Sequence, residues 1–175
     1  MDERCDDCGF SYASVGPGNA AATVRREADR LAEALTGTDP VAASRRPDQG
    51  WSALQYGGHV RDVLLAQRER LLSARLQPEF TIVAMGRDER VDWGEYEGLT
   101  ADRAGAEIRL TAEWLAHSFE LLSDEDWARL LNYNYPEPAT KSLRWLAAHT
   151  VHELVHHGRD VRGLMADDLR RPASH

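Results

Sequence analysis

The chain has 175 residues and a formal net charge of −8, so it is long enough for one domain with a sizeable core. The negative charge argues against nucleic acid or an anionic membrane surface as a partner. No window approaches the length of an apolar membrane span and the first residues do not form a signal peptide, so we expect a cytoplasmic protein that does not bind membranes.

The two cysteines lie in an N-terminal segment, residues 1–18, which is predicted to stand outside the main domain. They form Cys5-Asp6-Asp7-Cys8-Gly9, a spacing that lets two thiolates chelate one metal and that also suits a redox pair. A structural zinc site needs four ligands, and no second Cys-x-x-Cys completes this one. Three interpretations stay open: a second metal at Cys5 and Cys8, redox or sulfur chemistry, or no role in the reaction.

Four long helices and one short helix are predicted, with no convincing sheet. The long helices cover Ala20–Leu35, Ala53–Arg75, Thr100–Leu122 and Thr140–Met165, and the short helix ends at Leu131. Asn19 is the expected N-cap of the first, Ser52 with Gln55 forms a capping box for the second, and Thr140 or Ser142 caps the last. The predicted fold class is an all-α four-helix bundle over residues 19–168, followed by a tail at 169–175.

The long crossover between the second and third helices is expected to lie over the mouth of a site. We expect Trp93 and Tyr96 to exclude water and orient an organic ligand there, and Arg87 or Arg90 to hold a carboxylate of that ligand. The alternative is that the two aromatic residues only pack the crossover onto the bundle.

The last helix carries four of the seven histidines. Trp145, His149, His152, His156 and Asp160 fall on one stripe of a helix that is otherwise mostly apolar. Two histidines at i, i+4 on such a helix need a bonding partner for their ring nitrogens, and a divalent metal ion can provide it. Across from this pair, His59 on the inward face of the second helix is the natural third ligand. We therefore predict about one divalent ion per chain at His59, His152 and His156, with Cys5 and Cys8 dispensable for that site.

His152-Glu153-Leu154-Val155-His156 also fits the H-E-x-x-H pattern of zinc metalloproteases. The glycine and histidine of the metzincin extension do not follow Gly158. A protease is therefore kept only as a minor alternative.

Two motifs together resemble those of the DinB-like (YfiT-type) superfamily, from about Ala20 to Met165. They are Trp51-Ser52 followed by His59 in HVRDV, and HELVHHGRDV at His152–Val161. The resemblance implies an up-down-down-up bundle that holds a divalent metal, often nickel or zinc, at His59, His152 and His156; iron is a third option. The superfamily includes mycothiol- and bacillithiol-dependent transferases, a maleylpyruvate isomerase, hydrolases and many members of unknown activity. Arg159 replaces the glutamine frequent in the family.

Three imidazole ligands leave coordination positions open, as in a catalytic site. An open position can hold a thiol as thiolate or a water of lowered pKa. We expect first a transferase or isomerase that uses a low-molecular-weight thiol, second a hydrolase or a sulfur-chemistry enzyme using Cys5 and Cys8, and third a non-catalytic stress-response module.

The expected substrate is a small molecule, and the protein is a monomer or a homodimer. Three side chains of the last helix receive roles in catalysis. His149 is a candidate acid or base, while Glu153 and Asp160 are candidates to orient the ligand imidazoles. His157 could also serve as an acid or base, but exposure to solvent is the favoured expectation for it.

Overall fold

The computed structural model describes residues 3–37, 39–44, 46–47, 50–134 and 137–170, with side chains as far as residue 166. Within these ranges, seven helices and one hairpin follow a 3₁₀ turn at Tyr12–Ser14. The helices are α1 (Ala20–Thr36), α2 (Pro40–Ser44), α3 (Ala53–Leu76), α4 (Arg87–Asp92), α5 (Ala101–Glu120), α6 (Asp124–Ala128) and α7 (Leu143–Arg170). The hairpin pairs β1 (Leu130–Tyr133) with β2 (Ala139–Ser142).

The four long helices, α1, α3, α5 and α7, form a bundle. Both α5 and α7 pack along α1 and along α3, so α1 and α3 occupy opposite corners. Contacts along the helices give their directions: α1 runs antiparallel to α5, α3 runs parallel to α5, and α7 runs antiparallel to α3. The order is therefore up-down-down-up, and the crossover that joins the parallel helices α3 and α5 is long. The predicted fold class is confirmed. The core consists mainly of fully buried leucine, isoleucine and valine side chains, among them Val24, Leu31, Leu35, Leu64, Leu71, Ile108, Leu115, Leu146 and Leu154.

Side-chain caps determine where two of these helices begin. The Ser52 side chain accepts a hydrogen bond from the Gln55 N–H (3.2 Å) and the Ser52 N–H donates to Gln55 Oε1 (2.8 Å), as predicted. Ser142 Oγ accepts from the Trp145 N–H (3.2 Å) at the start of α7. Asn19 stands at the N-cap of α1, but its Oδ1 accepts from the Gly16 N–H (2.8 Å) and so orders the preceding turn.

The hairpin corrects three sequence-based predictions. Residues 139–142 form β2, so α7 begins at Leu143 and not at Thr140, and the short helix α6 ends at Ala128 and not at Leu131. The prediction of no sheet was wrong. In β1 the buried side chains are Leu131 and Tyr133, which gives only two inward positions. A pattern this short cannot be distinguished from the end of an apolar helix in the sequence.

The crossover is attached to α3 through Asp62 and Gly58. The Asp62 carboxylate accepts hydrogen bonds from the Tyr96 hydroxyl (2.9 Å), Arg90 Nη1 (3.0 Å) and Arg61 Nε (2.8 Å). The Tyr96 ring lies so close to Gly58 that a Cβ there would be 2.4 Å from its Cδ1. These contacts fix the crossover beside His59, the next residue of α3.

Among the helices of the described ranges, none has the combination of length and hydropathy needed to cross a bilayer. The predicted tail at 169–175 overlaps the end of α7, and residues 171–175 lie outside the described residues.

Candidate metal centre

Helix α7 carries potential metal ligands on two neighbouring faces. Consecutive residues of an α-helix are turned by about 100°, so residues 153 and 157 lie on a different face from residues 152 and 156. The first pair faces His59 of α3, and the second pair faces the N-terminal segment. Each face forms its own cluster of side chains suited to a metal ion.

The first cluster is the His59–Glu153–His157 trio, whose ligand atoms lie within 4.8 Å of one another. Glu153 Oε2 is 3.6 Å from His59 Nε2 and 3.5 Å from His157 Nε2. Two ligands bound to zinc at about 2.0–2.2 Å in tetrahedral geometry lie roughly 3.3–3.6 Å apart. The spacing of the trio therefore suits a tetrahedral ion without rearrangement of the helices.

A second carboxylate fixes the orientation of His157. Its Nδ1 lies 2.9 Å from Asp160 Oδ2, one turn further along α7. Burial alone would lower the pKa of His157, but Asp160 and Glu153 raise it to about 9. A hydrogen bond from Nδ1–H to a carboxylate leaves Nε2 as the coordinating atom, a common arrangement at metal-binding histidines.

The electrostatics of the trio favour a cation. Burial raises the pKa of Glu153, but the histidines at 152, 157 and 59 together hold it well below its ordinary value. Burial lowers the pKa of His59, which favours the neutral imidazole that metals require. His59 Nδ1 is also buried without a hydrogen-bond partner among the described residues.

A cavity of about 330 Å³ is lined by neighbours of the trio, and the trio's own side chains are not among its lining residues. The Trp51 ring lies 5.2 Å from His59, the Tyr56 ring lies 5.2 Å from His157, and both rings line the cavity together with Arg159 and Asp160. This volume is at the lower end of the range for small-molecule sites.

The second cluster contains Cys5, Cys8, His152 and His156, and its ligand atoms also lie within 4.8 Å of one another. His152 and His156, predicted to bind a metal together with His59, are thus placed with the two cysteines. The residues grouped with His59 are Glu153 and His157.

The family model of the DinB superfamily matches residues 21–161, which is most of the chain. This chain belongs to the DinB superfamily. Among solved structures, it is similar to YfiT from Bacillus subtilis, described as a probable metal-dependent hydrolase with an unusual four-helix bundle topology. The TM-score is 0.74 over 86% of this chain and 87% of that one, at 12% sequence identity, which shows a shared fold. None of the curated proteins matches the chain.

Of two other residues of this DinB-superfamily chain that were predicted to act in catalysis or binding, His149 contacts the trio, with its Nε2 3.8 Å from Glu153 Oε1, and Trp93 lies at the surface. His149 stacks on Trp145 at 4.7 Å and its Nδ1 lies 3.0 Å from the Tyr12 hydroxyl, while burial lowers its pKa to about 4. Trp93 is 85% exposed.

Tyr96 and Arg87 contact residues that lie next to His59 of the trio, namely Gly58 and Trp51. Tyr96 is buried and its hydroxyl is engaged by Asp62. Arg87 lies over the Trp51 ring at 5.6 Å and therefore stands beside the cavity. The roles assigned to His149, Trp93, Tyr96 and Arg87 stay predictions.

Sequence reasoning missed His157, whose predicted exposure to solvent was wrong because it is buried. Glu153 was considered as a group that orients ligands or as the base of a protease, and not as a ligand itself. The sequence nevertheless contains a usable signal. Glu153 and His157 have the same i, i+4 spacing as His152 and His156, and Asp160 follows His157 by three residues.

Proposed function

We propose that this DinB-superfamily protein is a metal-dependent hydrolase that acts on a small organic substrate, with the metal held by His59, Glu153 and His157. The observation that carries this proposal is the buried trio with zinc-like spacing beside a cavity of about 330 Å³. Two histidines and one glutamate are also the protein ligands of known hydrolytic zinc sites, where a further position stays open.

A divalent metal bound there would supply a Lewis acid and a bound water of lowered pKa. The chain contributes the positioning. His59 projects from the middle of α3, and Asp160 holds His157 by a 2.9 Å contact, so neither imidazole depends on a loop. Zinc is our choice of ion because ligand separations of 3.5–3.6 Å suit a tetrahedral ion better than an octahedral one.

The cavity walls define the kind of substrate we expect. Trp51 and Tyr56 would exclude water and pack against an apolar part of the substrate. Arg159 in the wall and Arg87 over Trp51 would attract an anionic group such as a carboxylate. The description of YfiT, which has the same fold, as a probable metal-dependent hydrolase supports the same reaction class.

The test uses untagged protein and a panel of small esters, amides and lactones, each with and without a low-molecular-weight thiol. We expect turnover without thiol, and we expect Glu153→Gln to reduce it by at least about a hundredfold together with loss of the trio's metal. His117→Ala is the matched control, because His117 is an exposed histidine on α5. Turnover that strictly requires the thiol would instead support the thiol-dependent transferase predicted from the sequence.

A further inference from the structure

We infer that Cys5, Cys8, His152 and His156 form a second metal site, a tetrahedral zinc site that fastens the N-terminal segment to α7. This inference does not depend on the proposed hydrolase activity, because none of its four ligands is among the three residues assigned to the first metal. It also answers the question of which groups complete the Cys-x-x-Cys pair: two histidines from one face of the last helix.

The spacing of the four donors supports this assignment. Cys5 Sγ lies 3.9 Å from His156 Nδ1, and all four ligand atoms lie within 4.8 Å of one another. A sulfur and an imidazole nitrogen on one tetrahedral zinc are roughly 3.6 Å apart, given bond lengths of about 2.3 and 2.0–2.1 Å. Side-chain shifts of up to about 1 Å would therefore close the site. Both cysteines are free thiols, so neither is committed to a disulfide.

The backbone around the cysteines is folded to stabilise thiolates. The Gly9 N–H donates to the Cys5 carbonyl (2.9 Å) and the Cys5 N–H donates to the Phe10 carbonyl (2.9 Å), which closes a tight loop. Burial raises the pKa of Cys5, but the N–H groups of Cys8 and Asp7 and the two nearby imidazoles bring it down to about 6. Burial and the neighbouring Cys5 sulfur raise the pKa of Cys8, and a hydrogen bond from the Phe10 N–H opposes that rise. Backbone donors aimed at both sulfurs are what a thiolate metal site requires.

His152 gives an independent reason to expect a ligand. Both of its ring nitrogens are buried and have no hydrogen-bond partner among the described residues. A buried imidazole without partners is costly, and a metal on one nitrogen would satisfy it. Glu153 Oε1 lies 3.7 Å from His152 Nδ1, close enough for a carboxylate to support the other side of the ring after a small shift.

The rest of the N-terminal segment is already aligned along the same face of α7. The Tyr12 hydroxyl lies 3.0 Å from His149 Nδ1, and the Trp145 indole N–H donates to Glu3 (3.0 Å). Arg159 donates to the Asp7 carbonyl. The segment therefore reaches the two histidines with its cysteine loop in place, and the metal would join the loop to the bundle.

The test is cobalt substitution of the reduced, untagged, full-length protein. A tetrahedral cobalt ion with two thiolates gives a thiolate-to-metal charge-transfer band together with intense visible bands. We expect that band in the wild type, its loss in Cys5→Ser/Cys8→Ser and in His152→Ala/His156→Ala, and its retention in His59→Ala and in the surface control His117→Ala. Absence of the band in the wild type, or its persistence without His152 and His156, would overturn the inference.

A second measurement needs no variant and so does not depend on variant folding. The wild-type protein is treated with a thiol-modifying reagent before and after a chelator removes the metal. We expect the two cysteines to react at least about tenfold more slowly in the zinc-loaded protein. Equal rates would contradict a cysteine-bound metal. The same measurements show separately whether the trio binds a metal. If it does not, His59→Ala will have the same metal content as the wild type, and the cobalt–thiolate band will still be present.

Discussion

Glu153 lies between the two clusters and contacts both. Its Oε2 faces His59 Nε2 at 3.6 Å, while its Oε1 is 3.7 Å from His152 Nδ1. Asp160 has a similar position, since its Oδ2 lies 2.9 Å from His157 Nδ1 and 4.0 Å from His156 Nε2. Each carboxylate can therefore orient an imidazole that the structure assigns to a metal-ligand cluster.

We predict that Asp160→Asn weakens metal binding at the trio by about 10–100-fold, because a neutral amide supports the His157 imidazole less well than a carboxylate does. The measurement is a competition titration against a chelating indicator, carried out in a Cys5→Ser/Cys8→Ser background so that only the trio is read out. Asp29→Asn, at an exposed carboxylate of α1 that pairs with Arg109, is the control. Equal affinities for the two variants would refute the role of Asp160.

At the scale of single residues, the sequence identifies the helix that carries the candidate ligands but not which of its faces meets His59. The spacing of His152 and His156 indicates a metal-binding pair, and His59 is placed on the facing helix. A rotation of about 100° separates these histidines from Glu153 and His157, and the pattern of apolar residues on α7 is too broad to determine that angle. The contact with His59 decides it, and that contact depends on how α3 and α7 pack.

At the scale of the secondary-structure elements, the crossover is attached to α3 by the close approach of Tyr96 to Gly58. We predict that Gly58→Ala destabilises the protein by about 1–3 kcal/mol, because the new Cβ would lie 2.4 Å from the Tyr96 ring. Gly163→Ala is the matched control in α7: a Cβ there meets nothing within 4 Å. It should stabilise the protein by about 0.5–1 kcal/mol.

The free energy of unfolding from urea titration distinguishes the two glycine variants. A Gly58→Ala protein as stable as the wild type would mean that Tyr96 is not held against α3. The same result would mean that the crossover does not stabilise the bundle by packing on α3. Its predicted role at the substrate cavity would then explain better why it is long.

The four long helices could be predicted because their caps and apolar periodicity are local features. Ser52 with Gln55 and Ser142 each cap a helix start within three residues. The hairpin could not be predicted in the same way, since the pairing of Leu131 with Lys141 joins residues ten apart, across two prolines. Predicting the hairpin requires knowing which side of the helix bundle it packs against, and the local sequence does not contain that information.

At the scale of the whole molecule, the two sites stand on a bundle whose core is independent of metal. We predict that chelation leaves the helical circular-dichroism signal at room temperature unchanged, because the apolar contacts of α1, α3, α5 and α7 remain. The melting temperature should fall. At a free zinc concentration a thousandfold above Kd, one site contributes about 4 kcal/mol, or about 8–16 °C at about 2–4 °C per kcal/mol.

The control for chelation is re-addition of zinc, which should restore the melting temperature. A melting temperature that is the same with and without zinc would contradict binding at either site. Loss of the helical signal on chelation would show that the bundle itself needs the metal, contrary to the independence of its core.

The central claim is that the metal of this DinB-superfamily protein is held by His59, Glu153 and His157. The most direct measurement is an anomalous difference map, recorded at the absorption edge of the bound metal, from crystals of untagged protein. We predict a peak within about 2.0–2.2 Å of the coordinating nitrogens of His59 and His157 and of a carboxylate oxygen of Glu153. A peak shared by His59, His152 and His156, or density for zinc-loaded protein with no peak at the trio, would contradict the claim.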